Sequence, residues 1–133
     1  MRNEKENQTN QNQEEIIFSY SRAQALEDGV LADVSSLAKE AGFKYPVAVT
    51  QGVYSVLDDT RVAGQSFEGR CWDMLTIFRY AIKKIKDGGD AIYFAPLFLS
   101  PEAEEPKPVQ MWAKCGAGDD YNPVITIMLE GED

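Results

Sequence analysis

After Met1 the chain has no aliphatic or aromatic residue until Ile16, and apolar positions then recur in short, punctuated runs. So polar a segment cannot bury enough surface to offset the entropy of ordering it, and residues 1–15 are expected to form a disordered tail. Ile16-Ile17-Phe18-Ser19-Tyr20 reads as a short β-strand. Ser21 follows as a helix N-cap, with Gln24 three residues on as its capping-box partner. The helix it opens covers about 22–28 and stops at Gly29, where a left-handed residue belongs. Val30-Leu31-Ala32 is an apolar connector. Asp33 or Ser35 caps a second short helix over about 35–41, ended by Gly42. Tyr45-Pro46-Val47-Ala48-Val49 is extended, because the residue before a proline avoids the helical region. Thr50 caps a third short helix over about 51–58, and Asp58-Asp59 with Gly64 marks a loop.

The strongest periodicity lies between Gly69 and Lys86. Cys71, Met74, Leu75, Phe78, Ile82 and Ile85 follow the i, i+3, i+4, i+7 spacing of a helix with one apolar face. Asp73 in its first turn and Lys83, Lys84 and Lys86 in its last complement the helix dipole. Trp72 falls outside the stripe. Beyond Asp87-Gly88-Gly89-Asp90 the period shortens to that of strands. The run Ala91 to Leu99 carries Pro96 at its centre, which implies an edge, a bulge or a break. Val109 to Cys115 alternates, with Val109, Met111, Ala113 and Cys115 on one face and Gln110, Trp112 and Lys114 on the other. Asn122 to Leu129 is β-branched and apolar. These three form an antiparallel meander with loops at 100–108 and 116–122. The fold class is α+β: over residues 16–133, a single domain with one long amphipathic helix and several short ones. They pack on a mainly antiparallel sheet of three to five strands. Whether Trp72 and Trp112 belong to core or surface is open at this level.

Composition narrows the chemistry. With 133 residues the chain can build a real core without staples. It has no histidine, which removes the commonest general base and metal ligand and excludes Ser-His-Asp and Cys-His catalysis. The net charge of −9 opposes direct nucleic-acid binding and suits a partner with a basic surface. Cys71 and Cys115 read as small buried hydrophobes in a reducing compartment, with a bridge between them left open. There is no apolar run long enough for a membrane span and no signal-peptide core, so a cytoplasmic location is expected. No cofactor is expected.

Candidate binding residues fall in two places. Arg22 stands one turn from Glu27, with Asp28 and Asp33 near in sequence. Arg22 could clamp an anion or nucleotide-like ligand while a carboxylate acts as base; the alternative is a capping and ion-pair cluster around tight turns. Gly69-Arg70-Cys71-Trp72-Asp73 opens the long helix. There Arg70 could strengthen an anion site and Trp72 could be a surface anchor, or Trp72 packs inward and Asp73 only compensates the dipole. Gly116-Ala117-Gly118-Asp119-Asp120 has glycines like a phosphate loop but leads into a strand and carries two acids where phosphate would sit, so the nucleotide reading is rejected. Acids also gather at Asp58-Asp59, Glu102-Glu104-Glu105 and Glu130-Glu132-Asp133. None has the spacing of a calcium loop, and no metal is expected. They are either solvated loops or a negative surface that imitates a phosphate backbone.

Ser19 to Ser35, Glu40 to Thr50, Gly69-Arg70-Cys71-Trp72-Asp73-Met74-Leu75 and Val124 to Asp133 together resemble a family of short bacterial proteins catalogued as a domain of unknown function. Its motifs read YSRAQAIEDGVLVDVS, AREAGFRFPVAVT, GRLWDVLW and VVTIMLPGED; this chain has Glu130 where a proline often sits. The resemblance implies plasmid, phage or other mobile-element carriage and an accessory or anti-defence role. The reading that follows is a nonenzymatic protein-binding module with an acidic surface. Two alternatives stand beside it: a small enzyme or nucleotide-like binder using Arg22 and Glu27, and a homo-oligomeric structural module.

Overall fold

The computed structural model describes residues 21–85, 89 and 91–132; the expected tail over 1–15 and strand over 16–20 lie outside them. Helices α1 (Arg22–Glu27), α2 (Ser35–Glu40), α3 (Gln51–Leu57) and α4 (Phe67–Lys84) share the described chain with seven strands. These are β1 (Leu31–Asp33), β2 (Val47–Thr50), β3 (Ala91–Phe94), β4 (Leu97–Phe98), β5 (Lys107–Pro108), β6 (Met111–Ala117) and β7 (Pro123–Leu129). The main sheet has five strands in the order β1-β2-β7-β6-β3, and β4 with β5 forms a separate ribbon. Pairing is antiparallel except between β2 and β7, which run parallel with Val47 opposite Ile125 and Val49 opposite Ile127.

Alternation along the strands decides which face is covered. Val47, Val49, Met111, Ala113, Ile125 and Ile127 join Val53, Leu57, Cys71, Met74, Leu75 and Phe78 in one buried cluster beneath α2, α3 and α4. The opposite face carries Ala48, Trp112, Thr126 and Met128, and α1 lies there against β1. At one end of the core, Phe43, Phe78 and Phe94 stack in a column with centroid spacings of 5.4 and 5.0 Å.

Several boundaries differ from the sequence reading, each for a local reason. The long helix begins at Phe67, because Ser66 caps it by accepting from the Gly69 amide at 3.0 Å. Its core stripe ends at Phe78: Ile82 is exposed along a groove between this end of the helix and the sheet, and Ile85 is exposed just past the helix end. Val30-Leu31-Ala32 is more than a connector, for Leu31–Asp33 forms the edge strand β1. The expected strand from Ala91 to Leu99 is broken at Pro96, and the expected loop over 100–108 contributes β5 to the ribbon beyond that break. Cys71 is buried and burial pushes its thiol up to about 11. Cys115, expected in the core, is exposed, because it lies near the end of β6 beyond the helical cover.

Candidate functional site

α1 is capped at both ends. Ser21 Oγ accepts from the Gln24 amide at 3.0 Å, and Gly29, at φ +79°, closes the helix while the Val30 amide donates to the Ala25 carbonyl at 2.9 Å. Only half of the expected capping box exists, since the Gln24 side chain donates forward to Asp28 Oδ1 at 3.1 Å. The remaining first-turn amides find a distant partner. Asp119, in the β6–β7 turn, accepts from the Arg22 amide through Oδ1 and from the Ala23 amide through Oδ2, both at 2.9 Å. Those two backbone donors hold the Asp119 carboxyl below the usual carboxylate range, the Ala23 amide contributing most.

The Arg22 side chain turns onto the sheet. Nη1 donates to Thr126 Oγ1 at 2.7 Å and Nη2 to the Ile125 carbonyl at 2.8 Å. Partial burial lowers its pKa, against the opposing pull of Asp33 and then Asp119. Asp33 lies close enough to be felt and accepts from Ser35 Oγ at 2.5 Å and the Ser35 amide at 3.2 Å. Neither proposed residue caps α2 in the expected way: Val34 is its N-cap, and Ser35 Oγ instead accepts from the Val47 amide at 3.0 Å, pinning α2 to β2. Glu27 is exposed and forms no ion pair with Arg22. A shallow hollow gathers Arg22, Asp33, Asp119 and Asp120, but Arg22 donates into the protein and Asp119 caps a helix. What this arrangement does is lock three elements together.

Arg70 is the second departure. It sits on the buried stripe of α4 at 3% exposure. Nε and Nη2 donate to the Val56 carbonyl at 3.1 and 2.8 Å, and Nη1 to the Leu99 carbonyl and Gln65 Oε1, both at 3.0 Å. Its guanidinium lies 4.6 Å from the centre of the Phe98 ring. Desolvation lowers its pKa, opposed by Asp59 and Asp73. Arg70 therefore faces inward and binds α3, α4 and β4 together; it offers no clamp to an external anion at the helix start. Trp72 and Asp73, its neighbours, are exposed.

Glu132, which sequence reasoning left among the solvated acids, is also structural. Its Oε1 accepts from Thr50 Oγ1 and the Leu129 amide, both at 2.7 Å, while its carbonyl accepts from Trp112 Nε1 at 2.8 Å. Gly52 lets it approach, since a Cβ there would meet Leu129 at 2.8 Å and Glu132 at 3.0 Å. Asp59 is likewise engaged: Arg61 Nε donates to it at 2.7 Å and holds its carboxyl down to about 2, while Arg61 Nη1 reaches Glu102 at 2.9 Å. No group of three or more potential metal-ligating side chains occurs among the described residues.

Two surface features remain. The outer face of α4 exposes Trp72, Ile77 and Tyr80, and β3 exposes Tyr93. Tyr80 lines two adjoining hollows, one shared with Trp72, Thr76 and Arg79, the other with Ile77, Tyr93 and Phe94. On the core side, a groove of about 390 Å³ opens between the C-terminal half of α4, the loop after α2 and strands β3, β6 and β7. The family model of DUF6573, a family of unknown function, matches residues 8–88, more than half of the 133-residue chain. The chain belongs to that family. No curated protein and no solved structure shows a significant match to it. The DUF6573 match contains α1 to α4, β1 and β2, with Arg22, Glu27, Asp28, Asp33, Arg70, Trp72 and Asp73. Strands β3 to β7 lie beyond it, so the groove is built partly from matched and partly from unmatched residues.

Proposed function

We propose that this DUF6573 protein is a nonenzymatic binding module that grips a protein partner across the outer face of α4 and the edge strand β3. The observation that carries it is the exposure of Trp72 (42%), Ile77 (39%) and Tyr80 (61%) around two adjoining hollows; the Tyr93 ring turns instead onto Trp112 on the other face of the sheet. Tryptophan and tyrosine supply large contact areas at low entropic cost, and they dominate binding energy where they anchor an interface. The net charge of −9 and the exposed Glu68 and Asp73 beside Trp72 suit a partner with a basic surface, while Arg79, Lys83 and Lys84, which border the hollows, would meet acceptor groups of that partner. A phosphate-mimicking form of this role would draw on the exposed acids outside internal bonds, since Asp59, Glu102, Asp119 and Glu132 are engaged. The setting we infer is the bacterial cytoplasm, as an accessory or anti-defence protein of a mobile element. No helix among the described residues is long and apolar enough to cross a membrane. Use of Arg22 and Glu27 on a nucleotide-like ligand has less support, because the Arg22 donors already have protein acceptors.

The test is affinity capture with the tagged full chain from its host, beside the Trp72→Ala and Tyr80→Ala variants. A basic protein should be retained by the parent chain, elute as salt rises, and lose at least about tenfold in affinity to either variant. Undiminished retention by both variants would overturn the proposal. Concentration-dependent dimerisation abolished by Trp72→Ala would instead assign the face to a second copy of the chain.

A further inference from the structure

The groove beneath α4 has a chemistry unlike the rest of this acidic molecule. Phe43, Phe78, Ile82, Ile92, Ala113 and Ile125 give it an apolar lining. Lys44 on the loop and Arg79 and Lys83 on α4 stand along it. Lys114 also borders it, but alternation along β6 sends its side chain to the other face of the sheet from Ala113. In a chain with 22 acids against 13 bases, cations would be expected to find carboxylates easily. Among the described residues, Lys44, Arg79 and Lys83 form no ion pair, while Arg61 and Lys107 do. Arg79 is also held in place: Nη1 donates to the Ala41 carbonyl at 2.5 Å. Gly42 beneath it is required by its φ of +101°, and a Cβ there would also lie 2.8 Å from that nitrogen and displace it.

The geometry points to a binding site for a single-chain carboxylic acid, its hydrocarbon tail along Phe43, Phe78, Ile82 and Ile92 and its carboxylate among Lys44, Arg79 and Lys83. The volume falls in the range of small-molecule sites, and an apolar lining with a few convergent polar groups is their usual composition. Charge complementarity selects an anion over a neutral alkyl chain, since Lys44, Arg79 and Lys83 bring positive charge to the groove and have no carboxylate partner among the described residues. Arg79 and Lys83 also border the hollow on the outer side of α4, but neither Trp72 nor Tyr80 lines this groove.

The probe is dodecanoate, titrated below its micellar concentration into the full chain and followed by amide chemical shifts. Dodecanol serves as the neutral control. We expect saturable one-to-one binding with shifts concentrated at Phe43, Lys44, Arg79, Ile82 and Ile92, and slower alkylation of Cys115, which borders the groove. Dodecanol should bind about tenfold more weakly, and Lys44→Glu with Lys83→Glu, both at exposed positions, should weaken dodecanoate by a similar factor without altering dodecanol. Equal affinity for the two probes, or shifts scattered over the surface, would overturn the proposal. So would dodecanoate binding that emerges only in a full chain carrying Ile17→Glu and Phe18→Glu, which would assign the groove to the chain's own acidic and apolar run at Glu14-Glu15-Ile16-Ile17-Phe18.

Discussion

Arg70 shows how position on a helix overrides side-chain type. Arg70 falls on the same stripe as Cys71 and Met74, so its charge is carried into the protein and satisfied there by carbonyls. Removing it leaves the Val56 and Leu99 carbonyls without that donor, each worth about 1–3 kcal/mol. Arg70→Met should therefore lower stability by about 3 kcal/mol in urea unfolding, with Arg70→Lys recovering only part because it lacks the planar fork. A loss under 1 kcal/mol would show that water replaces those bonds. The two thiols should also separate cleanly. Buried Cys71, with its thiol pushed up to about 11, should resist a maleimide at neutral pH, while exposed Cys115 reacts. Mass spectrometry of singly labelled protein would locate the adduct, and labelling at Cys71 first would contradict the burial. The cysteine stripe position was legible for Cys71; for Cys115 the alternation was read correctly but not where helical cover ends. Arg70 could have been suspected from its i+4 relation to Met74, a signal that its charge obscured.

At the scale of elements, the caps and left-handed glycines were legible because they act through neighbours in sequence. Ser21, Gly29, Gly42 and Thr50 punctuate the helices as their chemistry dictates. What joins elements was not legible, because Asp119 and Arg22 lie 97 residues apart. That pairing makes α1 sensitive to acid. The Asp119 carboxyl is lowered in the folded protein, so its stabilising effect is present above the ordinary aspartate pKa and is lost as pH falls through that range toward the lowered value. Relative to the intrinsic exchange rate at each pH, the protection of the Arg22 and Ala23 amides should fall on acidification before that of the β6 and β7 amides, and Asp119→Ala should produce the same local opening at neutral pH. If those amides stay protected in Asp119→Ala, other contacts hold α1. The candidate site splits along the same line: Trp72 was identified as an anchor candidate from its place off the stripe, but the adjoining hollow of Ile77, Tyr80 and Phe94 needed β3 to be placed beside α4.

At the scale of the whole molecule, composition and period established the α+β class, while the parallel β2–β7 pairing carries no local signature. β7 lies at the centre of the five-stranded sheet, yet it is the last strand along the described chain. During synthesis, α1 to α4, β1 and β2 leave the ribosome well before Pro123–Leu129 does. Val47, Val49 and the apolar stripe of α4 must therefore wait with no sheet to cover them, an invitation to chaperones. Nascent chains stalled before Pro123 should remain open to proteolysis, and resistance should arrive in one step once β7 has cleared the exit tunnel.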